Sequence, residues 1–133
     1  MSITTLLAPV VQQAGLLTLS GRDPVYTDSA RMLFLSGVYS CTVRLPSCEA
    51  RYVTIVGPMR VLGEPLSVDI EFPRAFNASL LMATIRSAED GEVTYLAYLH
   101  ALWAAGISHY TVTFEVPSVT YFSSEREVFA WHP

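Results

Sequence analysis

At 133 residues the chain has the length of one domain, with enough apolar material to fill a core without metals or disulfide staples. Charged residues make up 15% of it, against about 25% in an average soluble domain, and the net charge is −4. The acidic balance argues against a general nucleic-acid binder. The shortage of charge points either to surface covered by another subunit or to a β-rich domain that exposes Ser, Thr and Tyr.

All eight basic residues are arginine, scattered from Arg22 to Arg126. Arg44 and Arg51 can approach across a hairpin, a small patch, and no basic run interleaves with aromatics as a single-strand groove requires. No charge precedes Arg22, and Pro9 and Gln12-Gln13 break the apolar start, so no secretion signal is expected and the protein is placed inside the cell. The longest near-apolar run, Tyr95 to Ile107, is too short to span a bilayer.

In chain order, residues 2 to 14 read as a helix with Leu6, Leu7, Val10, Val11 and Ala14 on one stripe, and Gly15 suits its end. Residues 16 to 36 are open: Asp28 can cap a short helix over Ser29 to Leu35, and Met32 to Leu35 fits a strand equally well. From residue 38 the period becomes two. Tyr39, Cys41, Val43 and Leu45 form the inward face of a strand, and Pro46-Ser47 turns the chain into a second strand, Ala50 to Val56. Gly57-Pro58 interrupts that strand, with Met59 to Leu62 continuing it after a bulge.

Leu66, Val68, Ile70 and Phe72 alternate with Ser67, Asp69 and Glu71, the cleanest strand pattern in the chain. Residues 76 to 88 lean to helix on their Ala, Leu and Met content. Residues 92 to 105 are helix, capped by Asp90 and stopped at Gly106. Ile107 to Val116 alternates again, and Ser118 to Phe122 and Val128 to Trp131 are short strands. The expected fold is a single α+β domain over residues 1–133. It has a largely antiparallel sheet of about five to seven strands, an N-terminal helix, and a helix near 92–105 packed on the sheet.

Chemical motifs are absent. His100, His109 and His132 have no second ligand at metal spacing, and there is no CxxC, HExxH, calcium loop, P-loop or GxGxxG. No catalytic, metal or cofactor site is therefore expected. Asp69 and Glu71 share a strand face, as acid/base carboxylates can, but such pairs are usually just solvated. Cys41 and Cys48 flank the hairpin tip. A cross-strand disulfide is conceivable there, and two buried thiols are favoured.

Between Glu92 and Glu125 the only charged side chain is Glu115. A helix with no charged face is unusual on a surface, and Tyr and Trp are the residues that anchor interfaces. Two explanations compete, a helix buried in its own fold and a self-association surface over residues 92–122 anchored by Tyr95, Tyr98, Trp103 and Tyr110. The first-ranked expectation is a non-enzymatic assembly subunit that forms homo-oligomers, a virus or phage particle component being one example by composition. The second is a module that presents a hydrophobic groove to another protein. The third is a small metal-free enzyme using His100 or His109 as base, near Cys41 or the Asp69/Glu71 pair.

Overall fold

Chain stretches with period two become strands, and those rich in Ala and Leu become helices. In the computed structural model, which describes residues 14–20, 24–68 and 74–133, the helices are α1 (Ala14–Ser20), α2 (Pro24–Leu35), α3 (Ala78–Glu89) and α4 (Tyr95–Ala104). The strands are β1 (Val38–Arg44), β2 (Ala50–Thr54), β3 (Gly57–Val61), β4 (His109–Thr113), β5 (Ser118–Ser123) and β6 (Arg126–Trp131). Among the described residues these six strands form one sheet in the order β3-β2-β1-β4-β5-β6. Every neighbouring pair is antiparallel. The architecture is the expected α+β.

The cross-strand register lines up two rows of side chains on the helix-covered face. One row is Met59, Tyr52, Cys41, Val112, Val119 and Trp131; the other is Val61, Ala50, Val43, Tyr110, Tyr121 and Phe129. The central members are buried and the edge members half-buried. Each fully buried apolar side chain contributes about 1.5–3 kcal/mol over its exposed state. The opposite face holds Arg60, Arg51, Thr42, Thr111 and Thr120, with Thr42 and Thr111 hydrogen-bonded through their hydroxyls at 2.8 Å.

Helix ends follow local chemistry. The Asn77 side chain accepts the Leu80 N–H at 3.0 Å to start α3, so residues 76–88 resolve as helix. Thr94 accepts the Ala97 N–H at 3.2 Å to start α4. Asp90, expected to cap this second helix, instead closes α3. Gly106 adopts φ +84 after α4, and a Cβ there would collide with the carbonyls of Arg74 and Ala75.

Several expectations are corrected. Gly15 lies inside α1 rather than ending a helix, because a bare backbone is needed where Tyr110 packs. Asp28 lies within α2, which begins at Pro24, where the missing N–H carries no cost. Gly57-Pro58 does not interrupt one strand; a two-residue turn at Ile55-Val56 makes it the start of β3. Tyr39 is exposed and Val38 buried, because β1 slips its register against β2 between Val38 and Ser40. Val116 is exposed beyond the end of β4. Residues 62–68 form no strand, since the Leu66 N–H goes to the Pro46 carbonyl at the hairpin tip and not to a sheet neighbour. The helix expected over 2–14, apart from Ala14, and residues 69–73, with Asp69, Ile70, Glu71 and Phe72, lie outside the described residues.

Candidate binding site

Beyond Val61 the chain leaves the sheet and crosses beneath the hairpin tip. The Leu66 N–H reaches the Pro46 carbonyl at 2.8 Å, and Gly63 is packed so closely on Cys48 that a side chain there would overlap it. The first turns of α4 lie opposite. Between them opens a cavity of about 490 Å3, within the range of small-ligand sites. Val43, Ala50 and Val61 supply its sheet side, Leu66 its floor strap, and Tyr95 and Leu99 its helix side. Leu62 and Leu96, both largely exposed, stand at its rim, and Glu64, Ser67 and His100 supply the polar groups.

The cavity lies at the outer end of β3, and no described strand pairs with the outer side of β3. Antiparallel residues alternate between hydrogen-bonded and non-hydrogen-bonded pairs. The two-residue turn makes Thr54 and Gly57 a hydrogen-bonded pair, so Met59 and Val61 also direct their backbone groups to β2. Pro58, Arg60 and Leu62 direct theirs outward. Pro58 has no N–H, which leaves the stretch from Arg60 to Leu62, beside the cavity, able to accept a new strand.

Cys48 and His100 line the same cavity, but burial raises the Cys48 pKa, so it stays a thiol at neutral pH. Its Sγ makes a long contact, 3.7 Å, with the Pro46 carbonyl oxygen. Burial pushes Cys41 up to about 12. His109 sits on the other side of the sheet from Cys41, its ring stacked on Phe122 at 4.5 Å and its Nδ1 2.9 Å from the Ser108 hydroxyl. Burial and then Arg44 lower its pKa. The expected pairing of His109 with Cys41 is thus blocked by the sheet itself. Both cysteines are free, and no group of metal-ligating side chains occurs among the described residues.

The four expected interface anchors are placed by the fold as follows. Tyr98 and Tyr110 are 0% exposed and Trp103 5%, all buried by their own chain. Tyr98 packs edge-on against Tyr110 and hydrogen-bonds the Tyr121 hydroxyl at 2.7 Å. Burial drives the pKa values of Tyr98, Tyr110 and Tyr121 upward. Tyr95 alone is half-buried, in the wall of the cavity, with its pKa raised to about 12 by burial. A neighbouring copy has no access to Tyr98, Trp103 or Tyr110. α4 buries the stripe Tyr98, Leu99, Leu102 and Trp103, while Leu96, Ala97 and Ala104 are exposed and uncharged.

A second cavity of about 550 Å3 lies between Leu17, Ala30, Phe34, Phe114 and Pro117, with Arg31 and Glu115 at its margin. Among the described residues no helix is long and apolar enough to cross a membrane.

Fold and site together define an α+β domain with a one-sided antiparallel sheet and an apolar cavity beside an open strand edge. No family model matches the chain. It is similar to uncharacterised proteins of Mycobacterium tuberculosis and Mycobacterium bovis, each 29% identical over 103 residues, which is 77% of this chain and 63% of the relative. The chain therefore spans less than two thirds of the length of those relatives.

Proposed function

We propose that the protein is a non-enzymatic binding module. It takes an extended segment of another protein onto the outer side of β3 and draws an apolar side chain of that segment into the cavity. One observation carries this reading: the 490 Å3 apolar cavity opens where the outward backbone groups of Arg60 and Leu62 are available for pairing. The raised thiol pKa values and the separation of His109 from Cys41 support binding over catalysis.

The test is titration with a hexapeptide in which valine alternates with serine, followed by calorimetry and by amide exchange at β3. Leu62→Pro removes an outward N–H, and Val61→Trp fills the cavity mouth. Each should abolish binding while leaving the melting temperature within a few degrees of the parent. Binding that survives both substitutions, with no slowing of exchange at Arg60 or Leu62, would refute the reading.

Self-association is a second reading, supported at the other end of the sheet. Leu35, Ile55, Val56 and Val116 are there 73%, 70%, 81% and 66% exposed. The Ile55 N–H donates to the Gly37 carbonyl at 2.8 Å and the Phe114 N–H to the Tyr39 carbonyl at 3.2 Å, which gathers these loops at one edge. A contiguous apolar surface of this kind marks contact sites. Light scattering over a concentration series should then give a defined oligomer that Val56→Asp dissociates into folded protomers. A wild-type monomer at every concentration would end this second reading.

A further inference from the structure

We infer that the segment taken up by β3 is acidic at alternate positions, with carboxylates that meet a guanidinium cluster on the open face of the sheet and apolar residues between them. The inference rests on the edge-pairing reading above. Arg60 of β3 lies directly opposite Arg51 of β2. Like charges in that position repel, so the pair is a local cost that the isolated sheet does not need. Among the described residues Glu49 is the carboxylate in contact with them, at 3.2 Å from Arg51 Nε and 3.8 Å from Arg60 Nε. Both arginine side chains remain about 60% exposed, at 61% and 59%. Arg44 is exposed across from Glu49, its N–H bonded to the Glu49 carbonyl at 2.9 Å. Two guanidinium groups thus share one carboxylate, with the exposed Arg44 on the same face, in a chain whose net charge is −4.

Cross-strand neighbours point to the same face of a sheet. On a strand added beside β3, the residue opposite Arg60 faces the open side, beside Arg60 and in line with Arg51 one strand further on. The residues before and after it face the helix side, towards Met59, Val61 and the cavity. Charge complementarity selects carboxylates for the first set, and the cavity selects apolar side chains for the second. A nucleic acid is a poorer fit, because Thr42, Val53 and Pro58, the neighbours of Arg51 and Arg60 on that face, offer no aromatic ring on which a base can stack, and the stacked His109–Phe122 pair of the same face lies two strands beyond Arg51, on β4 and β5.

Three hexapeptides test this, with valine alternating with glutamate, serine or lysine. At low salt the glutamate peptide should bind about tenfold more tightly than the serine peptide, as two or three exposed ion pairs allow. The lysine peptide should bind most weakly. The preference should collapse at 0.5 M salt, where the Debye length falls to about 4 Å. Arg51→Glu with Arg60→Glu should invert it, and the milder Arg60→Gln should halve the glutamate preference or more, so the test does not depend on the double variant folding. Equal binding of all three peptides overturns the acidic preference and leaves the edge reading intact. Failure of every peptide, serine included, overturns both. Binding of oligothymidine that Arg60→Gln weakens, with no discrimination among peptides, reassigns the face to nucleic acid and overturns the inference.

Discussion

Removing the hydroxyl of Tyr98 isolates the question of whether the charge-poor segment is core. In the structure the Tyr98 and Tyr121 hydroxyls are 2.7 Å apart, and both side chains are 0% exposed. Tyr98→Phe keeps the ring and its edge contact with Tyr110 but leaves the Tyr121 hydroxyl without this bond in apolar surroundings. Stranding a buried hydroxyl costs about 1–3 kcal/mol. The expected loss is therefore about 1.5–2 kcal/mol, read as a shift of the urea midpoint at constant slope. Tyr121→Phe should cost a similar amount for the reciprocal reason. The double variant removes both hydroxyls, so it should cost no more than either single change, giving a coupling of about 1.5 kcal/mol in the cycle. Single losses under about 0.5 kcal/mol, or additive losses in the double variant, would show that the hydroxyls are solvated. The core assignment of α4 would then fail, and Tyr98 would again be a candidate surface anchor.

Two further outcomes follow from local geometry. Gly15→Ala should destabilise the protein by about 1–3 kcal/mol despite alanine's better helix propensity, because its Cβ would come 2.7 Å from Tyr110 Cε2; a stabilised variant in urea unfolding would refute this packing. His109 has its pKa held below the ordinary value of about 6.5 by burial and by Arg44, so the unfolded chain binds more protons in the window below 6.5. Its contribution is fully present above that value and is lost as pH falls through the folded pKa. His109→Gln should reduce the fall in stability between pH 7 and pH 5, and an unchanged slope would contradict the burial argument.

Much of the fold was legible because one face of the sheet is buried, and burial writes period two into the sequence. β1, β2, β4 and β5 follow that signal, with Cys41, Val43, Tyr52, Val112, Val119 and Tyr121 all inward. Alternation records only two unlike faces, however, and does not say whether a neighbouring strand exists. Residues 66–68 alternate as well, yet Leu66 is buried by a strap that bonds Pro46, outside any ladder. β3 was harder to read because Gly57-Pro58 resembles an interruption until the tight turn at Ile55-Val56 is recognised. That turn also sets Arg60 against Arg51, so the arginine cluster was half visible in the Arg44 and Arg51 spacing and incomplete without the register. The cavity left no sequence signal, since it depends on Gly63 and Leu66 meeting the hairpin tip. The tyrosines misled for a related reason. Tyr suits an interface because it is amphipathic, and it suits a core equally well once another phenol satisfies its hydroxyl, as Tyr121 does for Tyr98.

The chemistry of β3 also separates the two kinds of association. An open edge is a hazard, and proline and charged side chains are the usual guards against pairing between copies. Pro58 withdraws one outward N–H, and Arg60 places a positive charge at the centre of what remains. Two copies joined through β3 would bring two arginine clusters into contact, repeating across the interface the repulsion already present between Arg51 and Arg60. A segment carrying carboxylates meets the opposite condition and relieves that repulsion. The feature that disfavours β3-to-β3 pairing is thus the feature that would favour an acidic partner. Self-association, by the same reasoning, belongs to the end of the sheet at Leu35, Ile55 and Val56, where apolar side chains are exposed and the two flanking charges, Arg31 and Glu115, are of opposite sign. The two surfaces lie at opposite ends of the β2–β3 hairpin, so occupation of one leaves the other accessible.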